Sequence, residues 1–145
     1  MKKLNLFIIA ILFLTGCGPS AEKKVAFIKQ STKLMSKHVE LCADVYSLKF
    51  FDRKTLDSRL KIFYEQTDKL ESFDDWSVSD TVKMILREAY RFTIQNNLLF
   101  DSLQKVNRAD GLTVGLLGLT SLEMDKRVQD LLKDEADKLS IQLNN

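Results

Sequence analysis

From residue 20 onward the chain contains almost nothing that stops a helix. Its single proline is Pro19, and the only glycines beyond it are Gly111, Gly115 and Gly118. Proline and glycine are the strongest helix breakers, at roughly 3 and 1 kcal/mol relative to alanine, so long stretches without either can run as long helices. Within those stretches the apolar residues recur at alternating steps of three and four. That spacing marks a helix packed lengthwise against others.

Four such segments follow one another. The first starts at Ser20, a suitable N-cap after Pro19, and runs to about Leu48. Its stripe reads Val25, Ile28, Thr32, Met35, Val39, Cys42, Tyr46. The second starts at Asp52 as N-cap and continues to about Phe73, with Leu56, Leu60, Phe63, Thr67 and Leu70 in its seam. The third follows the spacing Ser77-x-x-Asp80, read as a capping box. It carries Val78, Val82, Ile85, Ala89, Phe92, Asn96, Leu99, Leu103 and Val106. Asp110-Gly111 signals a turn. A fourth helix is expected from the capping box Thr120-Ser121-Leu122-Glu123 to about Leu143, with Met124, Val128, Leu131 or Leu132, Leu139 and Leu143 inward. Short connections favour antiparallel neighbours. The expected fold is all-α: an up-down-up-down four-helix bundle over residues 20–145. A three-helix core with a loosely attached fourth helix is the main alternative.

The first residues are of another kind. Lys2 and Lys3 precede Leu4–Leu14, apolar throughout save Asn5, and no charge appears again before Glu22. This is the layout of a secretory signal. As a helix the apolar core would reach only about 16 Å, against a hydrocarbon slab of about 30 Å, so a permanent span is the weaker reading. The segment ends in Leu14-Thr15-Gly16-Cys17, which resembles the lipobox of bacterial lipoproteins. The resemblance covers the signal and cleavage point alone. It implies removal of residues 1–16, diacylglycerol on Cys17, and residues 17–19 as the lipidated tether. Two acyl chains anchor stably where one does not. In Gram-negative members of the class, Asp after the cysteine often retains the protein at the inner membrane. Gly18 in its place implies the periplasmic side of the outer membrane, if the source has one.

Lys2 and Lys3 also account for the excess of 22 basic over 20 acidic residues. The chain beyond the signal is neutral with interspersed charges, which argues against nucleic acid as a partner. Cys42 is the only thiol left once Cys17 is lipidated, so no disulfide within the domain is expected, and its seam position predicts burial.

Few side chains suggest chemistry. His38 is the only histidine and lies four residues before Cys42, on one helical face. A Cys–His pair is half of a nucleophilic or metal site, but no further His or Cys completes it. His38 is therefore expected at the surface beside a buried thiol, with no metal, no cofactor and no catalytic residue. Asp74, Asp75 and Asp80 lack the calcium-loop pattern and read as capping and solvated groups. Asn96, polar within an apolar seam, is expected to fix register.

Two features suit partner binding. Trp76 is either an interface anchor or, with Phe73, a plug at one end of the bundle. The uncharged run Leu112-Thr113-Val114-Gly115-Leu116-Leu117-Gly118-Leu119 is either a mobile apolar loop or an extension of the fourth helix packed closely at its glycines. Leu112, Val114, Leu116, Leu117 and Leu119 are the candidate contact residues. The expectation is a non-enzymatic, membrane-anchored binding or assembly factor of the cell envelope. In size, anchor and helix content it resembles the helical pilotin lipoproteins of secretion systems, a resemblance that transfers no binding residue. The alternative is an immunity, exclusion or inhibitor lipoprotein from a mobile element.

Overall fold

The computed structural model describes residues 19–106 and 110–143. The expected signal, 1–16, and the lipid-attachment residue Cys17 lie outside them. Four helices make up the described chain: α1 Ala21–Tyr46, α2 Arg53–Asp68, α3 Ser77–Lys105 and α4 Gly111–Leu143. Among the described residues no strand occurs, and no helix is long and apolar enough to cross a membrane. The helices form a bundle around one apolar core that includes Phe27, Leu41, Leu86, Phe100 and Val128.

The helix starts are set by side chains. Ser20 Oγ accepts from Lys23 N, and Asp52 accepts from Thr55 N at 2.9 Å, so both expected N-caps form. Two expected capping boxes do not. α3 begins at Ser77 behind Trp76, with no side-chain cap. Ser79 instead bridges the connection, accepting from Phe73 N and donating to the carbonyl of Trp76. Thr120 lies inside α4, because Asp110, ten residues earlier, caps that helix: Thr113 N donates to its carboxylate at 2.7 Å. Residues 111–120 are thus helical rather than a loop.

α1 is buried along Phe27, Ser31, Leu34, His38, Leu41, Cys42 and Val45. This is the expected rhythm set one residue earlier, and Thr32 and Val39 face solvent. The stripe was misplaced because two of its true members, Ser31 and His38, are polar. Leu99 on α3 and Val106, its C-cap, are likewise exposed. That helix buries a wider face, including Tyr90, Thr93, Asn97 and Phe100, because it packs against α1, α2 and α4 alike. α2 lies on α3, where Phe63 stacks on Tyr90 at 3.8 Å. Among the described residues α2 makes no close approach to α4, so the peripheral helix is the second, not the fourth.

Candidate functional site

The centre of the bundle, where α1, α3 and α4 meet, is polar. His38 is 0% exposed, which overturns its expected surface position. Its Nδ1 lies 2.7 Å from Asp125 Oδ1 on α4 and its Nε2 lies 2.8 Å from Thr93 Oγ1 on α3. Cys42, one helical turn on, is buried as expected, its Sγ 3.4 Å from Nε2 and 3.6 Å from Thr93 Oγ1. Burial by itself would push the imidazole pKa down. The hydrogen bonds with Asp125 and Cys42 and the field of both groups outweigh it, and the pKa is raised to about 9. At neutral pH the ring is therefore an imidazolium, and both of its N–H groups donate.

That fixes the direction of a longer chain of hydrogen bonds. Thr93 Oγ1 accepts from His38 and can donate to Ser121 Oγ at 3.1 Å. Ser121 in turn donates to Tyr46 Oη at 2.6 Å, because the Tyr46 hydroxyl spends its own proton on the carbonyl of Leu117 at 3.1 Å. Asn96 Nδ2 also donates to Tyr46 Oη, at 3.0 Å. Every hydroxyl in the series thus both accepts and donates, and that of Tyr46 accepts twice, which keeps these buried polar groups satisfied. One atom is left out: Asp125 Oδ2 is shut off from solvent and has no partner.

Asn96 was expected in a seam, and it is there, tied across to α1. Its neighbour Asn97 was not singled out, although it is fully buried. Asn97 accepts from Phe51 N and donates to the carbonyl of Lys49, which pins the turn between α1 and α2. Asp125 and Thr93 were also missed. No local signal marks either; each gains its role from a residue far away in sequence.

Beside this network an open groove of about 450 Å³ runs between α1 and the first turns of α4. Cys42 and Tyr46 line it from one side, Val114, Gly115, Gly118 and Leu119 from the other. The polar network and the groove therefore share Cys42 and Tyr46. No family model, curated protein or solved structure matches the chain.

The candidate contact residues separate into two places. Trp76 is buried at the opposite end of α1's length, edge-on to Phe27 at 5.1 Å, and its Nε1 donates to Glu135 Oε2 at 2.8 Å. It plugs the core there. Burial pushes the Glu135 carboxyl up, but the bonds from Lys138 and Trp76 together hold it below the usual carboxylate range. On α4, Leu112 is 74% exposed, and Leu116 and Leu119 also face solvent. Val114 and Leu117 are half-buried against the core. The expected close packing at glycine is not found: a Cβ at Gly111 or Gly115 would meet nothing within 4 Å, and one at Gly118 would rest on the Tyr46 ring at an ordinary 3.5 Å.

Proposed function

We propose that the chain is a lipid-anchored, non-enzymatic binding or assembly factor of the cell envelope, which docks an amphipathic helix of a partner protein along the start of α4. The observation that carries this reading is a helix surface without charge. Between Asp110 and Glu123 no charged residue occurs, yet Leu112, Leu116, Leu119 and Leu122 stand exposed there at steps of four, three and three. Solvent-facing leucines at helical spacing beside an apolar groove are what a partner helix inserts against. The non-enzymatic reading is supported by His38, whose two ring nitrogens are both engaged and whose ring no solvent reaches.

An up-down-up-down course is supported by the cross-helix contacts. Phe27, early in α1, touches Trp76 at the start of α3, and Trp76 bonds Glu135 late in α4. Tyr46, at the end of α1, meets Asn96 and Ser121. α1 and α3 would then run one way and α4 the other. With diacylglycerol on Cys17, the membrane lies at the start of α1. Cys42 is about 30 Å further along that helix, so an upright bundle would hold the groove away from the headgroups and toward a partner.

The test is site-specific photocrosslinking in cells that make the full chain. A crosslinker at Leu116 or Leu119 should capture one envelope protein through an amphipathic helical peptide, and Leu112→Glu should abolish the adduct. A crosslinker at exposed Met84 on α3 should give none. Adducts to lipid alone, or to a second copy of the chain alone, would overturn the docking reading. Cys17→Ser should move the chain out of the membrane fraction, and unchanged retention there would overturn the anchor.

A further inference from the structure

The cluster at the bundle centre contains the makings of a cation site that the chain's composition hides. The ligand atoms of His38, Cys42 and Asp125 all lie within 4.8 Å of one another, and all three residues are buried. They come from two helices, α1 and α4, and a third helix supports them. We propose that His38 Nδ1, Cys42 Sγ and a carboxylate oxygen of Asp125 form a three-ligand site for a zinc-type divalent cation, with its fourth position turned toward the groove.

Four features of the geometry support this. First, the separations suit a tetrahedral ion. Bonds of about 2.0–2.3 Å put neighbouring ligand atoms about 3.3–3.8 Å apart. Nδ1 lies 2.7 Å from Asp125 Oδ1 and 4.0 Å from Cys42 Sγ, and all three ligand atoms lie within 4.8 Å of one another, so one pair has to open and the others to close by up to about 1 Å to meet that range. The short contact is one a proton now bridges, and replacing that proton by a cation would lengthen it. Second, Asp125 Oδ2, buried and without a partner, is a spare oxygen in the same carboxylate. A buried carboxylate oxygen with nothing to bind is costly, and a cation would satisfy it. Third, the other ring nitrogen already has an outer partner. Nε2 faces Thr93 Oγ1 at 2.8 Å, the kind of support that fixes the tautomer and orientation of a ligating histidine. Fourth, solvent-accessible space adjoins the site, since Cys42 lines the groove.

The donor set chooses among cations. Calcium and magnesium take oxygen ligands throughout. One thiolate, one imidazole and one carboxylate suit zinc and its neighbours in the first transition row. Binding requires the thiol and Nδ1 to give up their protons, so each cation taken up releases protons to solvent. This inference does not depend on the docking role, since His38 and Asp125 are not part of the groove lining and none of the three ligands lies on the exposed leucine ridge.

Cobalt(II) is the probe. The full chain, purified in detergent and stripped with a chelator, should bind one Co2+ and show a thiolate-to-cobalt charge-transfer band together with the intense visible bands of a tetrahedral ion. Zn2+ should displace it. Cys42→Ser should remove the charge-transfer band, and Thr93→Val should weaken Zn2+ binding about tenfold. The wild-type spectrum decides even if a variant fails to fold. Failure to take up Co2+ or Zn2+ at one equivalent, or uptake without the thiolate band, would overturn the site.

Discussion

His38 Nδ1 and Asp125 Oδ1 lie 2.7 Å apart across 87 positions of sequence, which makes this ion pair a tie between the first and last helices. Breaking it from one side leaves a buried charge alone. Asp125→Ala should therefore lower the unfolding free energy of the metal-free protein by roughly 3–5 kcal/mol, read from urea denaturation. Replacing both, with His38→Leu and Asp125→Leu together, should recover much of that loss, because no uncompensated charge remains. A single-variant loss below about 1 kcal/mol would show that the pair contributes little.

The same pair makes stability depend on pH in a definite direction. The His38 pKa stands at about 9 in the folded chain, against about 6.5 unfolded. Its contribution is full below the unfolded value and is lost as pH rises through the folded one. The groups facing the ring are Asp125 from α4, Cys42 from its own helix, and Thr93 and Tyr90 from α3. The melting temperature of chelator-treated protein should fall between about pH 6.5 and 9, and Asp125→Asn should flatten the slope. With only one histidine in the chain, a single imidazole NMR signal reports the titration directly. A midpoint near the unperturbed value would refute the charged pair.

At the end of α1 a leucine occupies a glycine's position. Leu48 has φ 59°, while Leu48 N and Lys49 N close back onto the carbonyls of Val45 and Asp44. This is the left-handed helix stop at which glycine is usual. A side chain there costs about 1 kcal/mol. Leu48→Gly should raise stability by a similar amount, seen as a higher urea midpoint at unchanged slope. A lower midpoint would mean that the leucine side chain contributes more by packing than its backbone loses.

How far the sequence reveals this architecture depends on which forces are local. Helix content follows from missing breakers and a steady three-four rhythm, and the caps Ser20 and Asp52 act on amides three residues away. The inward face of α2 is legible in the sequence, because Leu56, Leu60 and Phe63 are apolar, but the helix stops at Asp68 rather than near Phe73, and Leu70 packs from the connection that follows. On α1 the apolar rhythm points one position too late, because Ser31 and His38 are polar yet buried while the apolar Val39 beside them faces solvent. The centre was the least legible part. His38 and Cys42 are close in sequence, but what completes them, Asp125 and Thr93, comes from other helices. A histidine is sorted into core or surface by whether a buried acid faces it, and the first helix alone holds no such information. The uncharged stretch before Ser121 concealed the start of α4 for a related reason. A good capping box at Thr120 competes on paper with a single capping aspartate at Asp110, and tertiary packing of Val114 and Leu117 favours the longer helix.

Gly115 offers the sharpest separation of packing from binding. It sits inside α4 with open space where a Cβ would be, and it lines the groove. Helical glycine costs about 1 kcal/mol relative to alanine, and nothing here obstructs the methyl group. Gly115→Ala should therefore stabilise the fold by about 0.5–1 kcal/mol while narrowing the groove. A partner helix that seats there should crosslink less to the more stable variant, so that stability and binding move in opposite directions. If stability falls instead, the glycine is needed for a close approach. If stability rises and crosslinking at Leu116 is unchanged, the partner rests on the leucine ridge alone and leaves the groove unfilled.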